Sequence, residues 1–389
     1  MKVKTGLEIL LANRTEILKN RRVGVVVNPA SVDSRLRSTV NLLSAHPEID
    51  LTAVFGPQHG TRGETQDNMI EWEDFRDPDR GLPVFSLYGK TRKPTAEMLA
   101  GVDTIVFDLQ DVGARYYTYI QTLALVMEAC SGCGKELVVL DRPNPINGVD
   151  LEGPVLSPHF RSFVGLYPLP IRHGMTMGEI AEYLNREFRL GCDLKVIPME
   201  GWQRSMFFDE TGLPWIMPSP NMPTLDTAII YPGMCLLEGT NLSEGRGTTR
   251  PFELCGAPWI EPEDLAETLN YMELPGVRFR PVYFEPTFHK WSGQVIGGVQ
   301  IHVLDRRVFL PFLTGLAVIQ SFRTAAGSGF RFNDPPYEYE YEKLPFDILC
   351  GTDRIRIQME KSVPLNEIQN AWMDSLRKFS EKRKQYLLY

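Results

Sequence analysis

The chain has 389 residues, with 41 Lys+Arg against 49 Asp+Glu and a formal net charge of −8. Apolar residues make up 43% and charged residues 23%, which suits a globular protein and excludes a disordered, collagen-like or disulfide-stapled chain. The acidic balance argues against nucleic acid as a partner, which needs clustered Lys and Arg, and no run approaches the roughly 18 apolar residues of a membrane span.

The opening stretch, MKVKTGLEILLANRTEIL, lacks the apolar segment and small-residue cleavage site of a secretory signal. A cytoplasmic location is expected, or a periplasmic or secreted one if a signal has been removed. The cysteines, at 130, 133, 192, 235, 255 and 350, are irregularly spaced, which fits a reducing compartment. Cys130 and Cys133 form a C-x2-C, but no second pair of ligands follows, so no metal site is expected. The length suggests more than one domain, and composition does not set the oligomeric state.

In chain order, continuous Val/Ile/Leu runs predict strands at 22–28, 51–55, 84–87, 104–108, 137–141 and 194–198. Such runs belong to strands buried on both faces. Helical patterns fall between them at about 38–45, 95–99, 119–129 and 176–188, the last opened by a Thr176/Glu179 capping box. The alternation predicts an α/β fold with a Rossmann-like, doubly wound parallel sheet. The pattern breaks over 201–223, a stretch rich in Pro and aromatics. Beyond it come a helix at 263–272, strands at 276–281 and 299–303, and helices at 309–325 and 365–386. The expected division is therefore a Rossmann-like domain over 1–205 and a smaller α+β domain over 206–389. EYEYEKL, near Tyr337, reads as a loop or edge strand.

Ligands of open α/β sheets bind beyond the carboxyl ends of the strands, and polar clusters fall there repeatedly. They include Gln58, His59, Arg62 and Glu64 after the second strand, and Gln110, Asp111, Arg115 and Tyr116 after the fourth. Asn144 follows the fifth strand, and His173 precedes a helix. The second domain adds Asn221, held between prolines, and a glycine-rich run containing Asn241, Glu244 and Arg246. A site between the domains is expected. The first strand is followed by N-P-A-S, not G-x-G-x-x-G, and neither a P-loop nor a G-x-S-x-G elbow occurs. NAD and ATP are therefore not expected as cofactors.

The pieces NPASV, FGPQHGTRG, SLYGKTRKPT, FDLQDVGARYYTY, LDRPNPING, FVGLYPLPIRHGMT, SPNMPT and EGTNLSEGRGTTRPFE are long and unusual, and they span nearly the whole chain. Through them the sequence resembles the NamZ-type exo-β-N-acetylmuramidases, bacterial peptidoglycan glycosidases. The resemblance implies removal of non-reducing terminal β-1,4-linked N-acetylmuramic acid from peptidoglycan fragments (MurNAc-GlcNAc saccharides), without a cofactor. One position departs. The family pattern reads P-E-H-G after the second strand, with a glutamate thought to be catalytic, and here it is Gln58. Glycoside hydrolysis generally needs two carboxyl groups, and an amide neither donates an acid proton nor acts as a carboxylate base. Three accounts stay open: Glu64 serves instead, Asp111 acts with Glu244, or the protein binds sugar without turning it over. On the first two, Glu244 is the leading carboxylate and His59 a hydrogen-bonding or proton-relay group. The lactyl carboxylate of the substrate calls for an arginine, with Arg62, Arg115, Arg142, Arg172 and Arg246 as candidates.

Overall fold

The computed structural model describes residues 2–67 and 69–389. The six apolar runs form parallel strands of one sheet: β1 (Arg22–Val27), β2 (Asp50–Gly56), β4 (Pro83–Ser86), β5 (Thr104–Asp108), β6 (Glu136–Leu140) and β7 (Asp193–Ile197). A two-residue strand, β3 (Phe75–Arg76), pairs antiparallel with β4 at one edge. The order is β3-β4-β2-β1-β5-β6-β7. Leaving β3 aside, the parallel strands follow the 3-2-1-4-5-6 order of the Rossmann fold. Every residue of β5 and β6 is buried, as their unbroken apolar runs require.

The helices between the strands start where side-chain caps are available. Ser38 accepts from Asn41 N, Thr95 from Met98 N and Thr176 from Glu179 N. Helix Tyr119–Cys133 runs one turn past the expected end and stops at Gly134, whose φ of 62° suits a residue without a Cβ. Cys130 and Cys133 thus sit in its last turn, and all six cysteines are free thiols. Helix Gly6–Asn13 carries no long periodic pattern and was not expected.

The second sheet is antiparallel, in the order β8 (Leu254–Ala257), β10 (Ile296–Val303), β9 (Val277–Phe284). β9 and β10 are longer than their sequence signals, and the four-residue β8 was too short to read. Helices Pro262–Tyr271, Pro311–Ala326 and Leu365–Arg383 lie close to expectation. Helix Leu225–Met234 has no amphipathic period because it is buried almost all round, and it contains Pro232. The irregular 201–223 stretch holds a single short 3-10 turn, Phe208–Thr211. Among the described residues, no helix is long and apolar enough to cross a membrane.

One hydrophobic cluster runs through both sheet regions, from Phe107 and Leu123 to Leu236, Phe312 and Trp372. A buried carboxyl adds a polar link. Glu152 accepts from the N–H groups of Phe312 (3.0 Å) and Leu313 (2.8 Å), which open helix Pro311–Ala326. Burial pushes its pKa up to about 7, against those two N–H groups, which pull it down. Glu152→Ala leaves two buried donors unpaired and should cost roughly 2–4 kcal/mol, read as a lower denaturant midpoint. A carboxyl whose folded pKa is raised contributes fully below its unfolded value of 4.5 and loses that contribution as pH rises through about 7. Glu152→Gln should therefore compare better with the wild type at pH 8 than at pH 5. A gap that is constant between the two pH values would show that this carboxyl does not titrate as described.

Candidate active site

The crevice where Rossmann sheets hold a dinucleotide lies at the carboxyl ends of β1 and β5, where the strand order reverses. Here a segment of the same chain lies across it, leaving a smaller recess lined by Ala30, Val32, Gln110, Arg142 and Phe208. Asn28, just past β1, directs its amide at Gln110 O and Pro218 O (both 3.4 Å), and Tyr119 OH donates to the same Pro218 carbonyl at 2.7 Å. The Pro-rich segment is thereby bound over the switch point. The end of β5 is closed as well: Asp108 accepts from Arg142 Nη2 at 2.9 Å and from Thr39.

The pocket is displaced toward β2. Its wall is built from Gln58 and His59 after β2, Tyr116–Tyr119 at the start of a helix, the 219–222 turn, Glu238, Arg246, Phe252, Tyr337 and Glu338. The space between these side chains is about 480 Å³ with the open solvent at its mouth counted, and about 40 Å³ of it admits the centre of a water molecule. Aromatic rings meet edge to face across one side, with Tyr117–Tyr119 at 4.8 Å and Tyr231–Phe252 at 4.9 Å between centroids. Such packing holds the rings rigidly.

Two carboxyl groups line this pocket. Glu238 accepts from Arg246 Nη1 (2.9 Å) and Tyr337 OH (2.6 Å). Glu338 accepts from Tyr88 OH (2.8 Å) and Gln58 Nε2 (3.2 Å). Burial raises the Glu338 pKa to about 7 despite those two hydrogen bonds. Gln58 is itself oriented, because Thr118 Oγ1 donates to its Oε1 at 2.8 Å, which turns the amide nitrogen toward Glu338 and Tyr88. His59 has φ of 66° and meets Thr65 O through Nδ1 at 2.9 Å. Burial lowers its pKa to about 4, so the ring is neutral near pH 7. A carbonyl partner requires the proton on Nδ1, which leaves Nε2 as an acceptor.

Of the residues singled out in the sequence, Gln58, His59, Tyr116, Asn221 and Arg246 line the pocket. Tyr116 also donates to Pro232 O, and Asn221 donates to Gln66 O at 2.6 Å. Glu244 lies behind the wall, fully buried between Arg246 Nη1 (2.9 Å), Lys290 Nζ (3.0 Å) and His289 Nε2 (3.2 Å). Burial alone would raise its pKa, but these cationic and hydrogen-bonding neighbours outweigh it and hold the carboxyl well below the usual range. Glu64 is exposed. Arg62 is exposed too, with its guanidinium 5.0 Å from the Phe75 ring centre. Asp111 is buried, accepting from Gly113 N at 2.7 Å and facing His173 Nε2 at 3.5 Å.

The other candidates are bound to backbone carbonyls or to carboxylates of the chain itself. Gln110 donates to Asp111 O and Pro143 O, Asn144 to Met175 O and Asn241 to Gly329 O. Arg115 is fully buried and donates to Pro154 O, Leu169 O and Leu349 O. Arg142 is taken by Asp108, and Arg172 by Asp150 and Ile146 O.

Two pocket carboxyls were not singled out. Glu238 opens the glycine-rich EGTNLSEGRGTTRPFE motif, and Glu338 sits in the acidic-aromatic EYEYEKL stretch. The available signal was the concentration of Glu and Tyr in a segment with no secondary-structure period.

The fold and the pocket together define a Rossmann-order α/β protein whose nucleotide crevice is crossed by its own chain and whose polar, carboxyl-bearing pocket lies beside it. Residues 23–226 match the family described as Exo-beta-N-acetylmuramidase NamZ, N-terminal, and residues 229–389 match its C-terminal counterpart. The chain belongs to the NamZ exo-β-N-acetylmuramidase family. It is 48% identical over 388 residues to the peptidoglycan beta-N-acetylmuramidase NamZ of Bacillus subtilis (strain 168), covering all of this chain and 92% of that protein. Two crystal structures of DUF1343 family proteins from Bacteroides fragilis NCTC 9343 are similar throughout. One has a TM-score of 0.90 at 37% identity and the other 0.77 at 28%, each covering 100% of this chain and 99% of its own.

Breaking a buried ion pair by removing one partner typically costs 3–5 kcal/mol. Glu244→Gln keeps the shape but drops the charge that Lys290 and Arg246 share, so it should lose about 3 kcal/mol of stability at pH 7. A carboxyl held below its ordinary pKa contributes above that ordinary value and loses the contribution as pH falls through the folded one. The gap between Glu244→Gln and the wild type should shrink on acidification below about pH 4, as followed by denaturant titration. Equal midpoints at pH 7 would refute this placement of Glu244.

Proposed function

We propose that the protein is a glycoside hydrolase that releases non-reducing terminal N-acetylmuramic acid from peptidoglycan-derived saccharides. The observation that carries this reading is the pocket itself: two carboxyl groups, a rigid aromatic side and one arginine, in a chain 48% identical along its length to a peptidoglycan β-N-acetylmuramidase. Taking 1–205 and 206–389 as the two parts of the molecule, both contribute to this pocket.

N-acetylmuramic acid differs from N-acetylglucosamine by its lactyl ether, which carries the only charge. Arg246 is the one permanently cationic side chain among the described lining residues. Its guanidinium lies 4.8 Å from the Phe252 ring centre, and its Nε is buried without a hydrogen-bond partner. Glu238 and Glu244 hold it in place from one side. Arg246 is assigned the lactyl carboxylate on this basis.

A charge-assisted contact of this kind is worth roughly 1.5–3 kcal/mol, or about one to two decades in kcat/KM. Turnover of MurNAc-GlcNAc should exceed that of the matching N-acetylglucosaminide by at least that margin. Arg246→Lys keeps the charge but loses the planar fork, and should narrow the preference by about tenfold. Equal kcat/KM for the two sugars in the wild type would exclude this assignment. A second reading, sugar binding without turnover, is favoured by Gln58, an amide where the family resemblance implies a glutamate. Release of N-acetylmuramic acid from a purified disaccharide decides between the two.

A further inference from the structure

Glycoside cleavage needs an acid positioned at the leaving oxygen and able to hold its proton near neutral pH. Of the carboxyl groups named so far, Glu64 is exposed and Asp111 and Glu244 lie outside the pocket wall. Glu238 is engaged by a guanidinium and a tyrosine hydroxyl, Arg246 Nη1 and Tyr337 OH. Among the described residues Glu338 has no cation as a hydrogen-bond partner; Arg92 acts on it through space and lowers its pKa, while Glu238 raises it. Glu338 is 3% exposed, lines the pocket, and is presented from a turn in which it and Tyr339 have φ of 43° and 66°. Left-handed backbone at a residue other than glycine is unfavourable and persists where the surroundings over-determine it. His59 and Phe252, also in the wall, share this conformation with φ of 66° and 64°.

We propose that Glu338 is the proton donor of the hydrolytic step, with Gln58 and Tyr88 as the groups that position it. This rests on the glycosidase reading above. The Glu338 carboxyl gives its proton to the glycosidic oxygen as the bond from that oxygen to C1 of the muramic acid breaks, so the departing sugar leaves with a hydroxyl group. A water oxygen then bonds to C1 and releases a proton, which restores the acid; one water is consumed overall. Glu238 is the second carboxyl group of the same pocket wall.

Gln58 gains a physical role in this arrangement. Its amide nitrogen donates to Glu338 while Thr118 fixes its other end. A carboxylate at position 58 would compete with Glu338 for a single proton. The neutral amide removes that competition; its own hydrogen bond favours the Glu338 anion and is outweighed by burial. The pKa of about 7, set by burial, agrees with a carboxyl that is substantially protonated at neutral pH.

The test compares a natural and an activated substrate. Glu338→Gln should slow release of N-acetylmuramic acid from MurNAc-GlcNAc by ~10²–10⁴-fold, the usual effect of losing a general acid. The same variant should lose less than about tenfold on 2,4-dinitrophenyl N-acetylmuramide, whose leaving group needs no proton. In the wild type, the alkaline limb of kcat on the disaccharide should fall near pH 7, and it should flatten with the dinitrophenyl substrate. An equal loss on both substrates, or a wild-type rate in Glu338→Gln on the disaccharide, overturns the proposal. If the variant does not fold, the wild-type profiles decide: an alkaline limb identical for the two substrates also overturns it. Absence of muramide turnover by the wild type would defeat the glycosidase reading and this inference with it. Turnover with the limb or the variant behaving otherwise would defeat the inference alone.

Discussion

The pocket depends on a buried arginine shared by two glutamates. Arg246 places one nitrogen 2.9 Å from both Glu238 and Glu244, and Glu244 is in turn held by Lys290 and His289. Taking these charges out of water is costly unless each has partners in good geometry. The network supplies them, and its reach explains why the glycine-rich segment is folded as it is. Gly245 and Gly247 have φ of 77° and 80°. A Cβ at either would come within 2.7 Å of backbone, Leu254 O in one case and Phe288 in the other. Glycine lets the segment turn tightly enough to bring Glu244 and Arg246 into one buried cluster. The polar loop motif thus forms a wall of the pocket in which Arg246 is braced by the two glutamates.

The sheet has the strand order of a nucleotide-binding fold, and its switch-point crevice is used differently. Asn28 and Tyr119 both donate to Pro218 O, so the crevice holds a piece of the same chain. The pocket instead opens between the end of β2, the Tyr116–Tyr119 turn and segments from the second half of the sequence. Fold alone would point to a dinucleotide, and the side chains at the site point to a sugar. The difference lies in what terminates β1: N-P-A-S caps itself through Ser31 and Asn28 and offers no glycine turn for a pyrophosphate.

Burial on this scale leaves carboxyl groups with opposite fates. Among the described residues, the hydrogen-bond donors to Glu152 and Glu338 are neutral, and burial raises both to about 7. Glu244 is equally buried but faces Lys290, His289 and Arg246, and its anion is stabilised instead. The same residue type is thus a helix-capping acceptor at 152, a proton reservoir at 338 and a fixed anion at 244, according to its neighbours. Glu338 lies 280 residues from Gln58, its hydrogen-bond partner.

That separation marks the boundary of what the sequence alone could determine. Strands such as Thr104–Asp108 and Glu136–Leu140 and the capped helix Met177–Glu187 were legible because periodicity, apolar runs and caps act over a few neighbouring residues. The motifs were equally legible and carried the family resemblance, which the matches over 23–226 and 229–389 support. Helix Leu225–Met234 and the four-residue β8 left no periodic trace, since one is buried nearly all round and the other is too short. The roles of individual charges were not legible. Arg115, Arg142 and Arg172 look like sugar-binding arginines in the sequence, yet they hold backbone carbonyls and carboxylates in the interior. Only tertiary structure decides this, because whether a charged group faces a ligand or a buried partner depends on desolvation and on counter-charges contributed by distant segments of the chain.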